Sequence, residues 1–82
     1  MTRAKFILVS KTEQRGYRYE NGQSTPEVHV TLNFQVVTSG SDENKAFFAS
    51  TPNGELKLNL VNKALADQFE LMKEYYIDIS AA

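Results

Sequence analysis

The chain has 82 residues, no cysteine, one histidine and a formal net charge of −1. Disulfides are therefore excluded, and zinc is nearly excluded because His29 is the only strong nitrogen or sulfur ligand. The length predicts a single domain over residues 1–82 with a small core, and a small core makes stabilisation by a second subunit a reasonable expectation, so we expect a homo-oligomer.

The start of the chain lacks the features of a targeting segment. It runs from Met1 directly into an alternating pattern, and the longest uninterrupted apolar run, Phe6-Ile7-Leu8-Val9, is far shorter than a membrane span. We therefore expect a cytoplasmic protein without membrane contact, either in a bacterium or in a virus-infected cell.

The basic residues are concentrated at the beginning of the chain. Residues 1–18 contain five basic residues and one acid, whereas the remainder contains four lysines and nine acids. Such asymmetry can make one face attractive to phosphates although the whole chain is slightly acidic. Alternatively, folding scatters these charges over a solvated surface, and the sequence leaves both interpretations open.

The first third of the chain predicts strands separated by turns. Residues 4–13 alternate with apolar side chains on both sides, which is typical of a central strand. Gln14-Arg15-Gly16 then indicates a turn or bulge, followed by a short second strand at residues 17–19. Asn21-Gly22 predicts a tight turn, because both residues tolerate positive φ.

Residues 27–37 form the clearest predicted element. Five apolar residues alternate with polar ones, which indicates a long strand with one buried face. The apolar residues are Val28, Val30, Leu32, Phe34 and Val36.

The second half predicts two short helices and two strands. Ser41 and Asn62 can cap the helices, and the acids Asp42 and Glu43 suit the first turn of the first helix. Leu65 and Phe69 lie four residues apart and would hold the second helix to the core. The predicted elements are a helix over 42–49, a strand over 55–61, a helix over 63–70 and a strand over 74–80.

The resulting order is β-(β)-β-α-β-α-β, a mostly β fold with two short helices. Short strands with a helix between the third and fourth predict a small OB-like five-stranded barrel or half-barrel. A strand-exchanged dimer fits the same order of elements, so closure of the barrel stays open.

The sequence offers little for catalysis. His29 lies on the polar face of the long strand, and its neighbour on that face is Thr31, which is not an acid that could orient it. The adjacent Asp42 and Glu43 are explained by the helix dipole, and each glycine stands alone at a predicted turn rather than in a phosphate-binding loop. We therefore expect no enzyme activity, no metal and no cofactor.

Arg15-Gly16-Tyr17-Arg18-Tyr19 is the one segment with a positive functional indication. Interleaved basic and aromatic residues supply phosphate attraction and base stacking, and in an extended chain Arg15, Tyr17 and Tyr19 share one face. The alternative is ordinary strand composition, in which tyrosines favour strands and arginines keep a hairpin soluble. The candidate residues for binding a nucleic acid or nucleotide are Lys11, Arg15, Tyr17, Arg18, Tyr19, His29 and Tyr76.

Three motifs in the second half resemble a known group. Glu43-Asn44-Lys45 with Phe47, Thr51-Pro52 with Gly54, and Phe69 through Asp78 match the elements ENK-F, TP-G and F--GKEYY-D. Residues 39–78 are thereby similar to small uncharacterised tailed-bacteriophage proteins. Met72 stands where that pattern has glycine, which would strain a left-handed turn. The resemblance implies a phage origin and a role inside the infected cell.

Three functions fit these observations. The first is an OB-like module that binds single-stranded DNA or another oligonucleotide. The second is an oligomeric counter-defence protein that sequesters a nucleotide signal or binds a host protein. The third is a structural or assembly component of the virion.

Overall fold

Alternating apolar residues build two long strands that dominate the fold. The computed structural model describes all residues from Met1 to Ala82. The elements in chain order are β1 (Thr2–Glu20), β2 (Gln23–Val36), α1 (Asp42–Ser50), β3 (Glu55–Leu60), α2 (Lys63–Ala66) and β4 (Glu74–Ile79). The mostly β class with two short helices is confirmed.

The four strands form one antiparallel sheet in the order β3-β2-β1-β4. Because β3 and β4 lie at opposite edges, the sheet is open, and the expected five-stranded OB-like barrel is not seen. The fifth strand is missing because β1 continues to Glu20 without a break. The predicted turn at Gln14-Arg15-Gly16 and the separate strand at residues 17–19 are therefore wrong.

The irregularity in β1 lies at Val9 instead. Leu8 is opposite Phe34, but Ser10 is opposite Asn33, so Val9 is an extra residue in the ladder. Such a bulge shifts the alternation by one residue. Even-numbered residues of β1 face the core before the bulge, and odd-numbered residues lie on that side after it.

The core lies on one side of the sheet, here called the apolar face. Phe34 is the largest fully buried side chain, and the rings of Phe69 and Tyr75 contact it edge-on at centroid distances of 6.1 and 5.9 Å. Ala66 of α2 closes the cluster from above, whereas Leu65 is 44% exposed and does not hold the helix as predicted. The buried cluster consists of Ala4, Phe6, Leu8, Val30, Leu32, Phe34 and Ala66.

The second helix is shorter than the sequence predicts. It ends at Ala66, and the chain then crosses the apolar face from β3 to β4 through a turn that carries Phe69 into the core. With nine and four residues, neither helix is long and apolar enough to cross a membrane.

The first helix packs on the opposite side of the sheet, here called the polar face. Ser41 caps it as predicted, because its Oγ accepts a hydrogen bond from the Asn44 backbone N–H at 3.0 Å. The Asn44 side chain is 2% exposed, and its Nδ2 donates to the Ser39 carbonyl at 3.0 Å and to Glu74 Oε2 at 2.7 Å. One buried amide thus ties α1 to the preceding loop and to β4.

The long hairpin extends beyond its neighbours. Along β1 the pairing with β4 ends at Ile7, and along β2 the pairing with β3 begins at Val30, which is opposite Glu13. Residues 14–29 therefore form a ribbon of two strands alone, and together with residues 11–13, which have no neighbour on the outer edge of β1, they are here called the arm. Its tip is the predicted Asn-Gly turn, with φ of 52° at Asn21 and 74° at Gly22. The radius of gyration is 15.8 Å, against roughly 12 Å for a compact chain of this length.

Met72 occupies a left-handed turn just before β4. Its φ is 65°, its N–H donates to the Leu8 carbonyl at 2.7 Å, and its side chain is 67% exposed. A left-handed conformation costs a residue with a Cβ about 1–2 kcal/mol, a cost that glycine avoids. The backbone conformation therefore favours glycine at this position, and the exposed methionine side chain contributes little packing to offset the strain.

We predict that Met72→Gly raises the free energy of unfolding by about 1 kcal/mol, because it removes this strain while losing few contacts. Urea denaturation followed by circular dichroism measures the change. Leu71→Gly is the matched control, since Leu71 is also exposed but has no positive φ, and it should lower stability. A loss of stability in Met72→Gly would contradict the prediction.

Candidate functional site

The arm carries an exposed aromatic surface on the side that continues the apolar face. Because Arg15 is opposite Val28 and Tyr17 is opposite Pro26, these residues share one side, and Tyr19 follows two residues later. Tyr17 is 58% exposed and Tyr19 is 78% exposed. The predicted common face of Arg15, Tyr17 and Tyr19 is therefore found, and we call it the aromatic face of the arm.

The two cations on this face have different environments. Lys11 lies at the base of the arm, where its Nζ donates to the Phe69 carbonyl at 2.9 Å and anchors the crossing segment. Arg15 lies further out and makes no ion pair within the chain. Arg15 is thus the cation that a ligand on the aromatic face could use.

Arg18 and His29 lie on the polar face of the arm. The Arg18 guanidinium is 3.4 Å from Glu27, and His29 Nε2 is 3.3 Å from the other oxygen of the same carboxylate. Glu27 precedes His29 by two residues on the same face, so the expectation that His29 has no acid beside it is wrong. Arg18 and His29 thus form a polar cluster around Glu27 on the reverse side and do not extend the aromatic face.

The His29 ring also explains Gly16. A Cβ built on Gly16 would lie 2.5 Å from His29 Nε2, so the ring packs directly over the glycine backbone. Glycines inside strands often mark such close contacts. Gly16 thus serves packing between strands rather than a turn.

Tyr76 lies at the other end of the sheet. It is opposite Lys5 in the β1–β4 ladder, which places it ~40 Å along β1 from Tyr17. Arg3 and Lys5 lie 5.0 and 5.5 Å from the centre of its ring, and its hydroxyl donates to Glu43 Oε1 at 2.7 Å. The structure therefore does not bring Tyr76 together with the other candidates.

The Tyr76 cluster shifts the acidity of its members. The hydrogen bond to Glu43 raises the pKa of Tyr76, and the same bond, together with Lys5, lowers the pKa of Glu43. Asp78 shows the same effect, since its hydrogen bond from Arg3 lowers its pKa. These pairs fasten α1 and β4 to β1 and leave no free charge for a ligand.

Folding also disperses the basic start of the chain. Arg3 pairs with Asp78 at 2.7 Å, and Lys5 pairs with Glu43 at 2.9 Å and with Glu74 at 3.4 Å. Together with the Arg18–Glu27 pair, these contacts neutralise most of the local excess. The scattered-charge interpretation describes the structure, and no continuous basic face results.

Sequence reasoning missed two members of the aromatic face. Pro26 and Val28 of β2 lie opposite Tyr17 and Arg15, and together with Arg15 they line a shallow depression at the middle of the arm. Val28 is 41% exposed. Its place in the alternating pattern of β2 already put it on the side of Val30, but the partner strand could not be known. No cluster of three or more potential metal-ligating His, Cys, Asp or Glu side chains is found.

We predict that Tyr76→Phe raises the pKa of Glu43 toward its ordinary value, because the hydroxyl that stabilises the carboxylate is lost. A carboxyl group whose pKa is lowered in the folded state stabilises the fold at pH values above its unfolded pKa, and this stabilisation is lost as the pH falls. Because the variant lacks the contribution of Glu43, acid should unfold it at a higher pH than the wild type. Carboxyl carbon shifts in NMR titrations measure the pKa. Tyr17→Phe is the control and should leave Glu43 unchanged.

The stability that the wild-type Tyr76 hydroxyl contributes has the opposite dependence on pH. The pKa of Tyr76 is raised, so its stabilising contribution is complete below the unfolded value of about 10 and is lost as pH rises through the folded value. Tyr76→Phe should remove this alkaline component. A variant whose acid and alkaline transitions both match the wild type would contradict the assigned hydrogen bond.

The chain was compared with known proteins by family, by sequence and by structure. No family model, no curated protein and no solved structure matches it.

Proposed function

We propose that the protein is a small phage-type module that binds single-stranded nucleic acid on the aromatic face of the arm, in the cytoplasm of the infected cell. The observation that carries this proposal is the exposure of Tyr17 and Tyr19 on one face beside the unpaired Arg15. Nothing in the fold of a single chain uses these three side chains, whereas Tyr76, Lys11 and Arg18 all have partners within the chain.

The spacing of the two tyrosines suits base stacking. Residues two apart on a strand are about 7 Å apart, and stacked bases are separated by about 3.4 Å. One base can therefore lie between the rings, or each ring can hold one base. Stacking of this kind is worth about 1–3 kcal/mol per base and tolerates any sequence.

The charges of the arm predict how such binding depends on salt. Glu13, Glu20 and Glu27 balance Lys11, Arg15 and Arg18, so the arm has little net charge. With Arg15 as the one unpaired cation on the aromatic face, the slope of log affinity against log salt should be about −0.7. The proposal therefore describes binding by stacking, with a minor contribution from counterion release.

A second candidate function, counter-defence, is supported by the low net charge of the arm and by its exposed apolar residues. The exposed Pro26 and Val28 continue the aromatic face with apolar surface, a composition that also suits a protein partner. Binding of a host protein, or sequestration of a nucleotide signal between the tyrosines, would make the chain a counter-defence protein. A counter-defence protein of this kind should have no affinity for oligonucleotides that are longer than the nucleotide signal it sequesters.

We predict that Tyr17→Ala and Tyr19→Ala each weaken binding of a fluorescent single-stranded oligonucleotide about 5- to 150-fold, the equivalent of one lost stacking contact. Fluorescence anisotropy at about 50 mM salt, where phosphate contacts are strongest, measures the affinity. Both side chains are exposed, so the variants should keep the wild-type fold, which circular dichroism checks.

Two control variants test the location of the site. Phe48→Ala removes an exposed aromatic ring on α1, outside the arm, and Tyr17→Phe keeps the stacking ring, so both should bind as the wild type does. If the wild type shows no affinity at low salt, the nucleic-acid proposal fails. If Phe48→Ala weakens binding as much as Tyr17→Ala, the assigned face is wrong.

A further inference from the structure

The outer edge of β1 is unpaired along the arm. β4 pairs with residues 2–7 of β1, and the last contact of this edge joins Leu8 to the turn before β4. Beyond Leu8, β1 has a neighbour only on the β2 side. An exposed strand edge of this length offers a row of free backbone donors and acceptors to another strand.

The direction of these backbone groups follows from the ladder. The Leu8 N–H donates to the Lys73 carbonyl and the Leu8 carbonyl accepts from Met72, so core-facing residues of β1 point their backbone groups away from β2. After the bulge the core-facing positions are odd-numbered. Regular alternation then directs the N–H and C=O groups of Lys11, Glu13, Arg15 and Tyr17 outward.

This edge is self-complementary about Gln14. In an antiparallel pairing of two copies with Gln14 on the two-fold axis, Glu13 of one copy lies opposite Arg15 of the other, twice. The same register places Lys11 opposite the ring of Tyr17. Shifting the centre to Glu13 or to Arg15 would place like charges opposite each other, which destabilises a sheet.

The unpaired part of the β1 edge is also centred on Gln14. Gln14 lies midway between the bulge at Val9 and Tyr19, just before the turn at the tip. Pairing over residues 11–17 would form about eight backbone hydrogen bonds and would stop short of Leu8, where Met72 occupies the edge. Glu13 is half-exposed and pairs with Lys63 at 3.4 Å, so its second oxygen stays available.

We infer that two copies of the chain pair antiparallel through residues 11–17 of β1, centred on Gln14, to form one continuous eight-stranded sheet. The two arms then lie side by side, and their aromatic faces form one surface that carries both copies of Arg15, Tyr17 and Tyr19. The inference stands independently of the proposed function, because it rests on backbone edges and on charges rather than on a ligand.

Charge exchange tests this register, since both side chains are exposed and the only ion pair lost within the chain is the surface pair of Glu13 with Lys63. Native mass spectrometry and sedimentation, without nucleic acid, should find a dimer for the wild type. Glu13→Arg and Arg15→Glu each place like charges opposite each other and should weaken dimerisation at least ~10-fold. The double variant Glu13→Arg with Arg15→Glu restores both pairs and should dimerise as the wild type does.

Glu55→Arg is the matched control, because it makes the same charge change on β3, outside the arm, and should leave the dimer intact. A monomeric wild type at high micromolar concentration would overturn the inference, as would single variants that dimerise normally or a double variant that does not. All variants retain Tyr17 and Tyr19, so failure of the dimer and failure of oligonucleotide binding are separately visible.

Discussion

The bulge at Val9 decides which residues of the arm continue the core-facing side of the sheet. Without that extra residue, the alternation of β1 would carry Thr12, Gln14 and Arg18 to the apolar face and would turn the tyrosines to the other side. With it, the face that buries Phe6 and Leu8 continues into a face that exposes Tyr17 and Tyr19. The position of every side chain discussed for the arm depends on this one irregularity in the pairing.

Local patterns in the sequence account for much of the fold. The period-two pattern around Leu32 predicts β2, Asn21-Gly22 predicts the hairpin turn, and Ser41 predicts the start of α1. These features succeed because each depends on residues close in the chain. The predicted barrel is absent because closure would require β3 and β4 to pair with each other. Such long-range pairing cannot be read from local patterns, and in the structure these two strands lie at opposite edges of the sheet.

The candidate site was only partly predictable for a related reason. The sequence correctly indicates that Arg15, Tyr17 and Tyr19 share a face, since this requires only an extended chain. It cannot indicate that Tyr76 lies at the far end of the sheet, because that follows from the register of β4 against Lys5. Gly16 misleads for a different reason: a glycine that makes room for His29 looks the same in the sequence as a glycine in a turn.

The pairing of the first and last strands has a practical consequence for studying the molecule. Thr2 is opposite Ile79, so both termini emerge side by side at the end of a body 52 Å long, and the hairpin tip lies at the opposite end. An affinity tag, a fluorophore or a surface linker attached at either terminus is therefore held away from the tyrosines. Immobilising the chain by its terminus presents the arm to solution, whichever terminus is chosen.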